Sequence, residues 1–300
     1  MLVLTIGSAI IYAFATQTFQ IADQPAGVVY PAQRLDSRYL TTASDFHYPP
    51  YVVKPLIEQQ FRGIVKQAYD YSCGSAALTT LLATPTAVVG ASRTDAGVHA
   101  LGQVAAFRTD RTVPVQGIRR GLNTLLPPQI AITEAVDVDD DFHPRFSATG
   151  KHYRYLVLVR PDRSPRWASW AWHRRGALDR DAMQAAAAAL IGEHDFAAFR
   201  AAGCAARTTR RRIEAIELSW PEPTLLAIDV SGNAFLRNMV RIIAGTLIDV
   251  GEGRLTPAQV AEILASLDRT RGGQTAPAHG LTLVAVRYDG GRVSWRRDTR

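Results

Sequence analysis

The sequence predicts an α+β protein in which sheets carry helices packed on one face. One observation is the alternation of strand-like and helix-like segments. Strands read at His152–Val159 and around Ile213–Trp220, Leu225–Val230 and Leu283–Tyr288, and helices at Asp181–Leu190 and Pro257–Leu267. The second observation is that the helices carry their own start signals. Asp179 and Thr256 stand as N-caps, and Pro257 falls in a first turn, where its missing N–H costs nothing. The third is a change of period: His152–Val159 alternates and sets Tyr153, Tyr155, Val157 and Val159 on one face. Phe235–Val250 instead is apolar at helical spacing and stops at Gly251, a good C′ residue.

Length and composition narrow the class. Three hundred residues exceed what one core comfortably serves, so one large domain and two smaller ones are both open. No apolar run approaches the roughly 20 residues of a membrane-spanning helix, so no stable membrane span is expected. Cys73 and Cys204 are too few for a disulfide framework or a structural zinc site, and the seven histidines are scattered without ligand spacing. No metal is expected. The net charge of +7 is uneven: residues 1–83 hold five basic and five acidic groups, and the remainder 29 basic against 22 acidic. All but Lys151 of those 29 are arginine, whose planar donor fork matches phosphate oxygens in pairs. A nucleic-acid partner is one reading of that excess; a base-composition bias of the gene is the other.

Residues 1–83 differ in character from the rest. Met1–Ala15 is apolar and uncharged and ends in Ala13-Phe14-Ala15, like the core and cleavage site of a secretory leader without its basic start; a short buried strand or helix is the alternative. Residues 21–60 are punctuated by Pro25, Pro31, Pro49, Pro50 and Pro55 and read as extended chain. Gln67, six residues before Cys73-Gly74 and an apolar helix, resembles the start of a papain-like cysteine peptidase of the bacteriocin-leader-processing type. That resemblance implies a thiol nucleophile at Cys73, at a helix N-terminus, with Gln67 donating to the oxyanion. It ends near Leu82, before any histidine base, so a small buried apolar role for Cys73 is preferred.

From Val88 an apolar strand runs into a loop, where Asp95-Ala96-Gly97 supplies turn chemistry. By itself Asp95 reads as a catalytic carboxylate or as an Asx-turn residue. The whole string, Gly90-x-x-Arg93-Thr94-Asp95-x-Gly97-Val98-His99-Ala100, is similar to the signature of the tRNA pseudouridine synthase A family. Further matches follow in order: Leu122-Asn123, Leu125-Leu126-Pro127-Pro128, Phe142–Ala148, Lys151–Tyr155, Phe235–Arg241 and Ala276–Leu281.

The resemblance implies a pseudouridine synthase fold of two similar sheet-plus-helix halves about a central cleft. It also implies a homodimer, no cofactor, and action on uridines 38–40 of the tRNA anticodon stem-loop. It places Asp95 as the catalytic carboxylate, Arg241 as the cation that keeps it ionised, and Tyr153 as the ring beside the target base. Arg93 is expected at a phosphate or in flipping the nucleotide, and Leu281 at the substrate. Arg237, four residues before Arg241, would share its helix face and reads as a phosphate contact or plain surface. Tyr155 suits a core aromatic. Arg207, Arg210, Arg211 and Arg212, at the mouth of the Ile213–Trp220 strand, are expected along the tRNA backbone.

Against the family pattern, no initial strand, Tyr-Asp-Gly and Trp-Gln string, or helix is read before Val88, so the first half is expected to be incomplete. The chain then divides into an atypical segment over 1–83, an incomplete N-terminal half over 84–150 and a C-terminal half over 151–300. A catalytically impaired tRNA-binding fusion or truncation product is the alternative function, and a Cys73 peptidase a third. A tRNA substrate argues for the cytoplasm, and Met1–Ala15 argues against it.

Overall fold

The computed structural model describes residues 2–7, 72–84, 86–127, 129–204 and 206–289. The chain forms two compact units, the first reaching Ser147 and the second covering Ala148–Asp289. Among the described residues no helix is long and apolar enough to cross a membrane.

In the first unit, strands β1 (Leu2–Gly7), β2 (Val89–Gly90), β4 (Gln103–Phe107) and β5 (Ala131–Asp137) form an antiparallel sheet in the order β2-β4-β1-β5. A two-residue strand, β3 (His99–Ala100), lies between β2 and β4 in the chain. Strand β1 is paired on both edges: Leu2 stands opposite Phe107 on one side and Asp137 on the other. Helices α1 (Ser72–Leu82) and α2 (Val115–Leu125) pack together, and Leu78, Leu82, Phe107, Ile118, Leu122 and Ile132 make the core under them. Burial of each such side chain contributes about 1.5–3 kcal/mol. Asn123 ties α2 to β5, donating to the Ile132 carbonyl at 2.9 Å and accepting from the Ile132 N–H at 2.7 Å. Both main-chain groups of Ile132 are thus satisfied by one side chain.

A strand and a helix therefore precede the Asp95 loop: the strand is the alternative reading of Met1–Ala15, and the helix is the apolar one that follows Cys73-Gly74. Leu2-Val3-Leu4-Thr5-Ile6 is rich in β-branched residues, and a short apolar run reads equally well as a leader or as a buried strand. Here it is an inner strand. Cys73 lies in the first turn of α1. Gln67, Met1 and residues 8–15 of the leader-like run lie outside the described residues.

The second unit is built on β6 (Ala148–Val159). One edge of β6 pairs with β10 (Leu225–Gly232), beyond which lie β9 (Arg210–Glu222) and β8 (Gly192–Asp195). The other edge is shared by β11 (Leu281–Tyr288), antiparallel over Ala148–Tyr155, and β7 (Trp172–Arg174), parallel over Val157–Val159. Helix α3 (Arg180–Ala188) packs on α4 (Met239–Gly251) and α5 (Pro257–Ser266). The caps are those the sequence predicts. Asp179 accepts from the Ala182 N–H at 2.9 Å, and Thr256 forms a capping box with Gln259.

Every residue of α4 except Arg241 is buried. A Cβ on Gly245 would stand 1.9 Å from the Gln274 carbonyl oxygen, so only glycine lets the 273–276 segment lie against this helix. The helix starts later than Phe235. Asn238 has φ 59°, in the left-handed region, which interrupts the turn before Met239. Arg237 therefore precedes the helix and does not share a helical face with Arg241.

Candidate active site

Asp95 sits on the loop between β2 and β3 and is partly exposed. The loop is anchored at its start by Gln103 of β4. The Gln103 side chain accepts from the Ser92 N–H at 3.2 Å and donates to the Ser92 carbonyl at 2.9 Å, while the Ala91 N–H reaches the Val104 carbonyl at 2.8 Å. Asp95 opens a β-turn closed by the Val98 N–H on the Asp95 main-chain carbonyl at 3.0 Å. Gly97 stands at φ 82°, as the third residue of a type II turn requires. The main-chain bond and the glycine together close the turn that carries Asp95. Arg93 is exposed on the same loop.

In the second unit, Tyr153 and Tyr155 project from the same face of β6. Tyr155 is fully buried, donates its hydroxyl to the Pro277 carbonyl at 2.8 Å and meets Trp172 edge to face. Burial pushes its phenol well above the usual tyrosine range, with the charge of Arg241 opposing. It is a core aromatic, as the sequence reading has it. Tyr153 is 8% exposed and packs edge-on against Phe235, with ring centroids 5.4 Å apart. Arg241 donates through Nε to the Ala276 carbonyl at 2.7 Å and through Nη1 to Asn238 Oδ1 at 3.2 Å; its own carbonyl accepts from the Ala276 N–H. Residues 276–281 therefore bridge Arg241 and Tyr155. Leu281, buried, pairs with Tyr155 across the β6–β11 ladder, and Leu283 pairs with Tyr153. His279 is half-buried; burial lowers its pKa and the nearby Arg241 charge lowers it further, against a main-chain hydrogen bond at Ala171.

The basic cluster separates into individual roles. Arg207 is exposed. Arg210 pairs with Glu193 at 3.3 Å, both groups largely in solvent, so the pair is weak and leaves Arg210 available. Arg211 donates to the Thr208 carbonyl at 2.9 Å, and Arg212 is exposed. Arg237, also exposed, reaches the Ala202 carbonyl at 3.3 Å. Among the described residues no group of three or more His, Cys, Asp or Glu side chains is placed to hold a metal ion.

Two further groups have no counterpart in the sequence reading. Asn238 orients Arg241, and its signal was an Asn, tolerant of left-handed backbone, just ahead of an apolar helix. Asp229 of β10 lies opposite Arg154 and receives His152 Nε2 at 2.6 Å and Arg154 Nε at 3.0 Å. Burial raises the Asp229 carboxyl, but these two partners outweigh it and hold the group below the usual carboxylate range.

Comparison with known proteins bears on what this arrangement serves. A family model described as tRNA pseudouridine synthase matches residues 37–147 and 186–289, so the match begins well ahead of the Val88 strand. A protein of Geobacter sulfurreducens named tRNA pseudouridine synthase A is 52% identical over 212 residues, covering 71% of this chain and 86% of its own length. A protein of the same name from Geobacter sp. strain M21 is 52% identical over 213 residues, again 71% and 86% of the two chains. One from Ruminiclostridium cellulolyticum is 48% identical over 212 residues, with the same coverage.

Proposed function

Because the chain belongs to the tRNA pseudouridine synthase family, a family of isomerases, we propose that it converts uridine to pseudouridine at positions 38–40 of the tRNA anticodon stem-loop, with Asp95 as the catalytic carboxylate. The observation that carries the reading is the Asp95 loop. Its turn is closed through the main chain and Gly97, and it presents Asp95 partly exposed on a loop anchored by Gln103.

The reaction breaks the bond from ribose C1′ to N1 of the base and rejoins the base through C5, which loses its proton. Nothing is oxidised and no group is lost, so no cofactor is called for. An ionised carboxylate serves as nucleophile at C1′, as electrostatic stabiliser of positive charge there, or as base toward the 2′ proton. Each route needs Asp95 charged, and Arg241 is the cation assigned to keep it so. The Arg241 guanidinium is held by Ala276 and Asn238, which supports a fixed role rather than a solvated one. Tyr153 is assigned to hold the base, and Leu281 and Arg93 to contact the nucleotide. Arg237, Arg207, Arg210 and Arg211 are assigned to the RNA backbone. The same reading takes the protein as a homodimer that works without a metal in the cytoplasm.

The position claim is tested by incubating the purified protein with a tRNA transcript carrying uridines at 38, 39 and 40 and mapping pseudouridine along it. Modification confined to those positions supports the reading. Pseudouridine only elsewhere in the transcript refutes the assigned positions.

A further inference from the structure

Phe146 is 76% exposed and is the only aromatic among the strongly exposed large apolar side chains of the described residues. Isolated exposed apolar residues are common, so exposure alone means little. What sets this ring apart is the structure built beneath it. The Ser147 N–H closes on the His143 carbonyl at 2.8 Å, and the His143 N–H donates to Ser147 Oγ at 3.0 Å. His143 Nδ1 accepts from the N–H groups of both Arg145 and Phe146, at 3.1 and 3.2 Å. These bonds make Nδ1 an acceptor and lock the imidazole, which stacks on the Phe146 ring with centroids 4.3 Å apart and a tilt of 35°. The Arg145 guanidinium lies 5.7 Å from the centre of the same ring. One histidine thus fixes the backbone of a turn and supports the ring that the turn presents to solvent.

We infer that Phe146, braced by His143 and flanked by Arg145, is a stacking platform for an unpaired base of the tRNA. An aromatic face beside a guanidinium suits a base and its phosphate, and RNA is gripped largely by stacking on such rings. The acidic run Asp139–Asp141 lies just upstream, with Arg108 engaging Asp140, so the turn is no general anion trap and the attraction rests on stacking. A protein partner would need a wide apolar surface, whereas Phe146 projects from a turn whose other members are polar or proline. The inference rests on the reading of the chain as a tRNA-modifying enzyme.

The test compares wild type, Phe146→Ala and Phe146→Trp in equilibrium binding to an unmodified tRNA transcript and in steady-state turnover. Loss of one stacked base weakens binding by about 5- to 160-fold. Phe146→Ala is therefore expected to bind that much more weakly, with KM raised, kcat little changed and the salt dependence of binding unaltered. Phe146→Trp is expected to keep wild-type affinity, which a merely structural role for the phenyl ring would not predict. Wild-type affinity in Phe146→Ala overturns the platform. So does a change of oligomeric state in that variant with unaltered tRNA affinity, which would give the ring to a second copy of the chain. A wild-type protein that binds no tRNA would instead overturn the functional reading on which the platform rests.

Discussion

Arg241 is a cation on a helix that is otherwise buried, and Ala276 and Asn238 both help to aim it. The Ala276 carbonyl takes Nε, and Asn238 takes Nη1 from a left-handed backbone position that asparagine tolerates. Glycine tolerates the same backbone, so Asn238→Gly removes the carboxamide without straining the chain. Losing this hydrogen bond to a charged group costs at most about 1.5–3 kcal/mol of stability, and with Arg241 misaimed, kcat per folded enzyme is expected to fall by about 10-fold or more beyond that loss. An equal loss of stability and activity would make Asn238 a plain structural residue.

At the scale of elements, the unit that carries Arg241 depends on a close approach and on a paired carboxylate. Gly245→Ala drives a methyl into the Gln274 carbonyl, and overpacking of this kind costs about 1–3 kcal/mol. The thermal midpoint should drop by about 2–4 °C for each kcal/mol, and activity should fall too, since the displaced segment carries Ala276 to Arg241. Asp229 has a native pKa below its unfolded value of about 3.9, so it stabilises the fold above that pH, and the contribution disappears as pH falls through the lower native value. Asp229→Asn should be less stable than wild type at neutral pH, and the two melting curves should converge in acid. A gap that persists below pH of about 2 would place the effect in packing rather than charge.

These elements also show what the sequence made legible. The helices capped by Asp179 and Thr256 and the strand bearing Tyr153 and Tyr155 were readable because local chemistry and period agree there. The start of α4 was not, because apolar periodicity runs through Phe235–Asn238 while a single left-handed residue breaks the turn. Leu2–Gly7 was not, because only its pairing with β4 and β5 distinguishes an inner strand from a leader. The Asp229 partners were missed for a similar reason: cross-strand register is a tertiary property.

Over the whole molecule, the excess positive charge lies entirely after residue 83 and is carried almost wholly by arginine. Binding to an RNA stem releases counterions in proportion to the phosphates engaged, so affinity should fall steeply with salt. Arg207 is exposed, and Arg207→Ala should lower the slope of log affinity against log salt by about one if it meets a phosphate. An unchanged slope would remove Arg207 from the interface. The family match reaches back to residue 37, and the strand and helix ahead of the Asp95 loop take part in a four-stranded sheet and in the core beneath it. The most direct test of the central claim is tritium release from tRNA labelled at C5 of uridine, measured for wild type and for Asp95→Ala at equal folded concentration. Wild type is expected to release tritium and Asp95→Ala at least about 10³-fold less; release by Asp95→Ala at the wild-type rate would remove Asp95 as the catalytic carboxylate.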